Sequence, residues 1–199
     1  MNKIKKYKRV LLVFIPPFVC LLGLKFIDDI DYYPLLFGLI IGFSNWNIHK
    51  FKPYLGTVLS VVVSYVSYGL GILSFFVFLF LIELINKNTS YRIGEDDVGI
   101  YFHILSPYII APLLVFYFYK FVFNVPKTRK TIWIIVISIC LLLGLKLFIE
   151  FLAKDYIISF QDYKFLGKFE IWQFIMALAL QLILYQEELK SFFKSKKVA

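Results

Sequence analysis

A chain of 199 residues that is 60% hydrophobic, with a mean hydropathy of +0.77, has too little polar surface to clothe a water-soluble globule, so a bilayer must solvate much of it. Six apolar stretches of about 20 residues would use about 120 of them, which excludes a separate large soluble domain. Most of the charges behind the net +9 lie in gaps between apolar stretches or at their ends, a distribution that anchors a protein to anionic lipid heads and gives no ground for expecting sequence-specific nucleic-acid binding.

The first stretch, residues 10–27, follows Lys3, Lys5, Lys6, Lys8 and Arg9 and is followed by Asp28, Asp29 and Asp31. It lacks a small-residue cleavage site and runs into further apolar sequence, so it reads as a retained helix and not a removed signal. Residues 32–48 lead to Lys50 and Lys52, and residues 54–85 lead to Glu95, Asp96 and Asp97. Residues 98–123 end among Lys120, Lys127, Arg129 and Lys130. Residues 131–152 open onto a loop with Asp155, Asp162 and Glu170, and residues 171–185 precede Lys190, Lys194, Lys196 and Lys197.

The sign therefore alternates from gap to gap. With both termini inside, fifteen of the 22 Lys and Arg residues fall in inner segments, the bias that orients membrane proteins. The expected fold is a single all-α domain: a polytopic integral membrane helix bundle of about six transmembrane helices, with both termini cytoplasmic. The Lys-, Ile-, Asn- and Phe-rich composition points to a bacterium and hence to its inner membrane. Cys20 and Cys140 both lie within apolar runs, without metal-ligand spacing and without a sign of a disulfide.

Two stretches carry structural puzzles. A helix over the 32 residues 54–85 would be about 48 Å long, beyond a hydrocarbon core of about 30 Å. It must tilt, protrude or break, and Gly69 and Gly71 are where it could bend. Pro107 and Pro112 predict a bent helix in the fourth stretch, because each removes an amide donor.

The sharpest pattern is a stripe of small residues in the third stretch: Gly56, Ser60, Ser64, Ser67, Gly71 and Ser74, all on one helical face. Gly38 and Gly42 repeat the device in the second stretch, with Asn45 on the same face. Small residues let helix backbones approach closely in lipid. The stripe is thus a helix-packing face, an oligomer interface or the lining of a hydrated path. Gln173, Ala177 and Gln181 form a similar stripe in the last stretch and are expected to hydrogen-bond between helices.

Ionisable residues within apolar stretches are candidate functional positions, here Glu83, His103, Lys146 and Glu150. All four fall near outer ends, where snorkelling and a Lys146 to Glu150 pair, four residues apart, account for them. The alternative is a shared polar site open to the outside, with Glu83 and His103 taking a proton or cation. Tyr32, Tyr33, Trp46, Tyr54, Tyr101, Tyr117, Tyr119, Trp133, Trp172 and Tyr185 read as an interfacial aromatic belt. Lys127, Arg129 and Lys130 form the densest basic cluster between stretches, a surface for lipid heads or for a cytoplasmic protein or ribonucleoprotein partner.

No His-Glu-x-x-His, paired Cys, phosphate-binding Gly loop or Gly-x-Ser-x-Gly occurs, so no catalytic residue, metal ligand or cofactor is expected. In size, hydropathy and composition the whole chain resembles small polytopic accessory proteins of bacterial anti-phage loci, including those beside the RNA-guided nuclease of type VI-B CRISPR systems. No motif residues accompany that resemblance. It implies a non-enzymatic accessory or effector protein acting by membrane assembly or by docking a cytoplasmic partner on its basic inner face. A small transporter or channel with a path along the serine face is the alternative. A lipid-processing enzyme using the outer acids is the third.

Overall fold

The computed structural model describes residues 3–23, 26, 30–88, 101–155 and 168–196. Helices lie over every apolar stretch, and among the described residues no strand forms beyond one isolated backbone bridge between His49 and Phe123. The helices are α1 (Lys3–Gly23), α2 (Tyr33–Ser44), α3 (Pro53–Asn88), α4 (Ala111–Val122), α5 (Arg129–Asp155), α6 (Lys168–Leu184) and α7 (Gln186–Lys196). A 3₁₀ turn, Ile30–Tyr32, leads into α2, and a π-helical segment, Tyr101–Ile110, runs directly into α4.

Local chemistry explains several of these boundaries. Pro34 occupies the first turn of α2, where the missing amide has no helical partner to lose. Thr128 caps α5, its hydroxyl accepting the Thr131 amide at 3.2 Å. Pro107 lies inside the π segment, so the bend expected from the prolines takes the form of wider winding, a recognised way to absorb a break in the hydrogen-bond ladder. Residues 53–88 form one continuous helix of 36 residues, unbroken at Gly69 and Gly71.

Helices α2 to α6 alternate in direction, the π segment and α4 counting as one, as the contacts between their ends show. At one end, the Lys50 amide donates to the Val122 carbonyl at 2.9 Å. There too the Gln186 side chain joins α7 to Thr128 and Thr131 at 2.8 and 3.2 Å. At the opposite end, Gln173 Nε2 donates to the Tyr33 carbonyl at 2.9 Å and Trp172 Nε1 to the Pro107 carbonyl at 2.8 Å.

Three helices are long and apolar enough to cross a bilayer: Pro53–Asn88, Ile104–Val122 and Arg129–Phe148. The apolar segments Val13–Gly23, Tyr33–Ser44 and Glu170–Leu184 are shorter; the 12 residues of α2 rise only about 18 Å. Large apolar side chains such as Phe76, Phe80, Ile132 and Trp133 point outward, the last 65% exposed, as they do where lipid is the solvent. The core is built where α2, α4 and α6 meet, around Phe37, Ile41, Tyr119, Phe123, Met176, Leu180 and Ile183.

Candidate functional site

The small-residue stripe of α3 is buried over most of its length. Gly38 and Gly42 of α2 face it so closely that a Cβ on Gly38 would stand 2.5 Å from the Val61 Cα, and one on Gly42 2.8 Å from the Thr57 Cα. Ser60, Ser64 and Ser67 each donate to the carbonyl four residues back, at 2.8 to 2.9 Å. Their protons are thereby satisfied without a partner helix. Further along, a Cβ on Gly71 would meet the Ala111 side chain at 3.3 Å. The Ser106 hydroxyl donates to the Gly71 carbonyl at 2.6 Å, and Ser74 lies 3.3 Å from Ser106. At the start of α3, a Cβ on Gly56 would collide with the His49 imidazole.

Beyond Ser64 the helices part around a cavity of about 500 Å³. Its walls are mainly apolar and aromatic, including Phe37, Ile72, Phe75, Val115 and Trp172, and its polar residues include Ser64, Ser67, Ser106, Lys146 and Gln173. Six helical segments thus deliver residues to it: α2, α3, the π segment, α4, α5 and α6. The stripe therefore has two environments, a packed one from Gly56 to Ser64 and a cavity wall from Ser64 to Gly71.

Lys146 departs from the sequence expectation. It does not snorkel; it is 5% exposed and lines the cavity. Its position on α5 explains why, since Ser138, Leu142 and Lys146 recur at four-residue intervals and are all buried, the spacing of one helix face. Glu83 is exposed on α3 and is not among the cavity's described lining residues. His103 and Glu150 lie in helical segments whose side chains are outside the described set, as is any pairing of Glu150 with Lys146.

The glutamines divide. Gln173, 4% exposed, bonds across to α2, but its Oε1 has no partner; Gln181, also buried, has partners for neither amide atom. The expected interhelical bond thus exists at Gln173 and is absent at Gln181. Part of the aromatic belt is also internal. Tyr119 and Tyr185 are buried, because Tyr119 shares the inward face of α4 with Val115, Phe116 and Val122.

Tyr119 packs against the Ser64 end of the cavity. Its hydroxyl lies 2.9 Å from Ser64 Oγ and 3.3 Å from the Ser60 carbonyl, and its ring is stacked on Phe123 at 5.8 Å. Phe37 meets Tyr119 edge-on at 6.2 Å and stands 6.3 Å from Trp172. At the other end, Phe123 stacks on His49 at 4.8 Å. Five rings therefore run in series from the cavity wall to the loop joining α2 and α3. The i, i+4 recurrence of Val115 and Tyr119, with Pro112 and Phe116 on the same face, is the signal by which the sequence could have revealed this role.

The end of the bundle that carries His49 is basic. Lys50, Lys52, Lys120, Lys127, Arg129, Lys130 and Lys190 are all exposed. Lys50 Nζ donates to the Lys120 carbonyl, and Lys120 lies 5.6 Å from the Tyr117 ring. Burial holds the His49 imidazole below its ordinary value, opposed by the hydrogen bond from Nδ1 to the Trp46 carbonyl. Its Nε2 is buried without a partner.

The class these features define is an all-helical protein with three helices long and apolar enough to span a membrane. Comparison with protein-family models, curated proteins and solved structures found no match.

Proposed function

We propose that the chain is a non-enzymatic, multi-pass accessory or effector protein of a bacterial inner membrane, with six spans and both termini cytoplasmic, which engages a cytoplasmic protein or ribonucleoprotein partner through its basic end. The observation that carries this reading is the convergence of seven exposed Lys and Arg residues from the α2–α3 loop, the end of α4, the start of α5 and α7 on loops tied together by the Lys50 and Gln186 hydrogen bonds. Alternating helix directions support six crossings, the short α2 and α6 being shielded within the bundle. Each basic residue near an anionic leaflet contributes about 1 kcal/mol of attraction, so the same end also sets orientation. Anti-phage defence is the setting suggested by the layout alone.

The test is in-cell photocross-linking from the exposed position Asn124, three residues before Lys127, with and without neutralisation of Lys127, Arg129 and Lys130 to Gln. A discrete protein or ribonucleoprotein adduct that disappears on neutralisation, at unchanged membrane yield, supports docking. Adducts to lipid alone in both forms contradict it.

A transporter is the second reading, favoured by the cavity beside Ser67. Against a continuous path stand the self-bonded serines and Tyr119, which fill the space between the cavity and the basic end.

A further inference from the structure

The cavity beside Ser67 is left unfilled in a bundle whose helices elsewhere approach to backbone contact. Close packing is the ordinary state of a protein interior, yet here about 500 Å³ stays open, in the lower half of the range of about 300 to 1,000 Å³ typical of small-molecule sites. None of the seven exposed basic residues of the proposed docking end is among its described lining residues. It is a separate feature of the bundle.

The wall decides what charge an occupant can carry. Lys146 is the one charged side chain among the described lining residues, and it already has an interaction within the protein. A second charge brought into this mainly apolar space would go unpaired, which is costly away from water. The space therefore suits an uncharged molecule.

One polar group of the wall lacks a partner. Gln173 is 4% exposed and its Nε2 is fixed on the Tyr33 carbonyl at 2.9 Å, which settles which amide atom is which; its Oε1 has no donor. The neighbouring protons are spent, that of Ser67 on the Val63 carbonyl, that of Ser106 on Gly71 and that of Trp172 Nε1 on Pro107. A buried acceptor left unanswered is destabilising, so an occupant that brings a donor gains a hydrogen bond no neighbour competes for.

The remaining walls call for hydrocarbon. Phe37, Phe75, Val115 and Trp172 line the cavity with apolar and aromatic surface. Ile72 lines it too and is 45% exposed, between exposed Tyr65 seven residues before it and exposed Phe76 four residues after it, the spacing of one helix face. The cavity thus meets the outward flank of α3, where a chain too long for it can continue into the bilayer.

We infer that this cavity binds an uncharged single-chain lipid with a hydroxyl head, of the monoacylglycerol kind. The head-group hydroxyl donates to Gln173 Oε1, and the chain lies against the aromatic walls and leaves beside Ile72.

The test is native mass spectrometry of the full-length protein in a zwitterionic detergent, titrated with monoolein, with methyl oleate, which has the chain but no donor, and with oleoyl lysophosphatidylglycerol, which has hydroxyls and a negative charge. The wild type should retain monoolein roughly 3- to 10-fold better than methyl oleate, the factor contributed by one hydrogen bond, and no worse than the anionic lipid. Gln173→Leu should reduce monoolein to the level of methyl oleate, and Val115→Phe, which adds bulk to the wall, should weaken retention of both. Helicity and elution volume, measured on each variant, separate lost binding from lost folding, and the wild-type comparison stands without either variant. Equal retention of monoolein and methyl oleate by the wild type would mean that water alone answers Gln173. That result, stronger retention of the anionic lipid, an unchanged preference in a folded Gln173→Leu or undiminished retention in a folded Val115→Phe would each overturn the proposal.

Discussion

The Tyr119 hydroxyl lies 2.9 Å from the Ser64 hydroxyl, between helices α4 and α3, with Tyr119 wholly buried. This contact marks the boundary between the two parts of the bundle. On one side α2 and α3 are packed backbone against backbone, with Tyr119 of α4 set against Ser60 and Ser64; on the other lies the cavity. A polar contact between membrane helices contributes about 0.6 to 1.7 kcal/mol, so it positions the helices more than it holds them.

Tyr119→Phe removes that hydroxyl and keeps the ring stacking on Phe123 and Phe37. It should lower thermal stability in detergent by about 1 kcal/mol without loss of membrane yield. Ser64→Leu places bulk at the same contact and should cost much more than Val62→Leu, whose side chain is 48% exposed. Equal tolerance of leucine at 62 and 64, measured by yield and melting temperature, would show that this face is not packed as described.

Glycine has opposite roles at two positions. A Cβ on Gly38 would stand 2.5 Å from backbone, while one on Gly69 would meet nothing within 4 Å. Gly38→Ala should therefore force α2 away from α3 and lower stability by about 1 to 3 kcal/mol, the usual scale of overpacking. Gly69→Ala should be neutral or stabilising, since alanine favours the helix. Melting curves of the two purified variants check the contrast, and a stable Gly38→Ala would contradict the close approach.

Much of this arrangement was legible in the sequence because membrane helices must satisfy their own backbones, which ties long apolar runs to helices. The one-face spacing of Gly56 to Ser74 was equally readable. Lys146 was misplaced because charge near a helix end suggests snorkelling, and only the burial of Ser138 and Leu142 on its face reveals an inward direction. The cavity was invisible because six helical segments, far apart in the chain, come together to line it. Gln181 misled for a similar reason: an amide in a small-residue stripe predicts a partner, but its position among apolar core residues supplies none.

Gln181 is buried with neither amide atom bonded, and an unsatisfied buried polar group costs about 1 to 3 kcal/mol. Gln181→Leu should accordingly raise the melting temperature or leave it unchanged. A marked loss of stability would show that the amide has a partner in the membrane.

His49 makes stability depend on pH in a defined direction. Its folded-state pKa is lowered, mainly by burial, from an ordinary value of 6.5. The unfolded state therefore binds more protons as the pH falls below that value, and folding weakens there. The contribution is complete above about pH 6.5 and declines as the pH drops toward the lowered folded value. Melting temperature measured across this window should fall less steeply in His49→Asn than in the wild type. Parallel curves would exclude His49 as the source.

The most direct measurement concerns which side of the membrane the basic end faces. In a background with Cys20→Ala and the exposed Cys140→Ser, single cysteines at Lys127 and Glu83 sample the two ends of the bundle, both positions being exposed. An impermeant maleimide applied to intact inner-membrane spheroplasts should label position 83 at once and position 127 only after permeabilisation. Labelling of position 127 from outside would contradict a cytoplasmic basic end and the partner docking that depends on it.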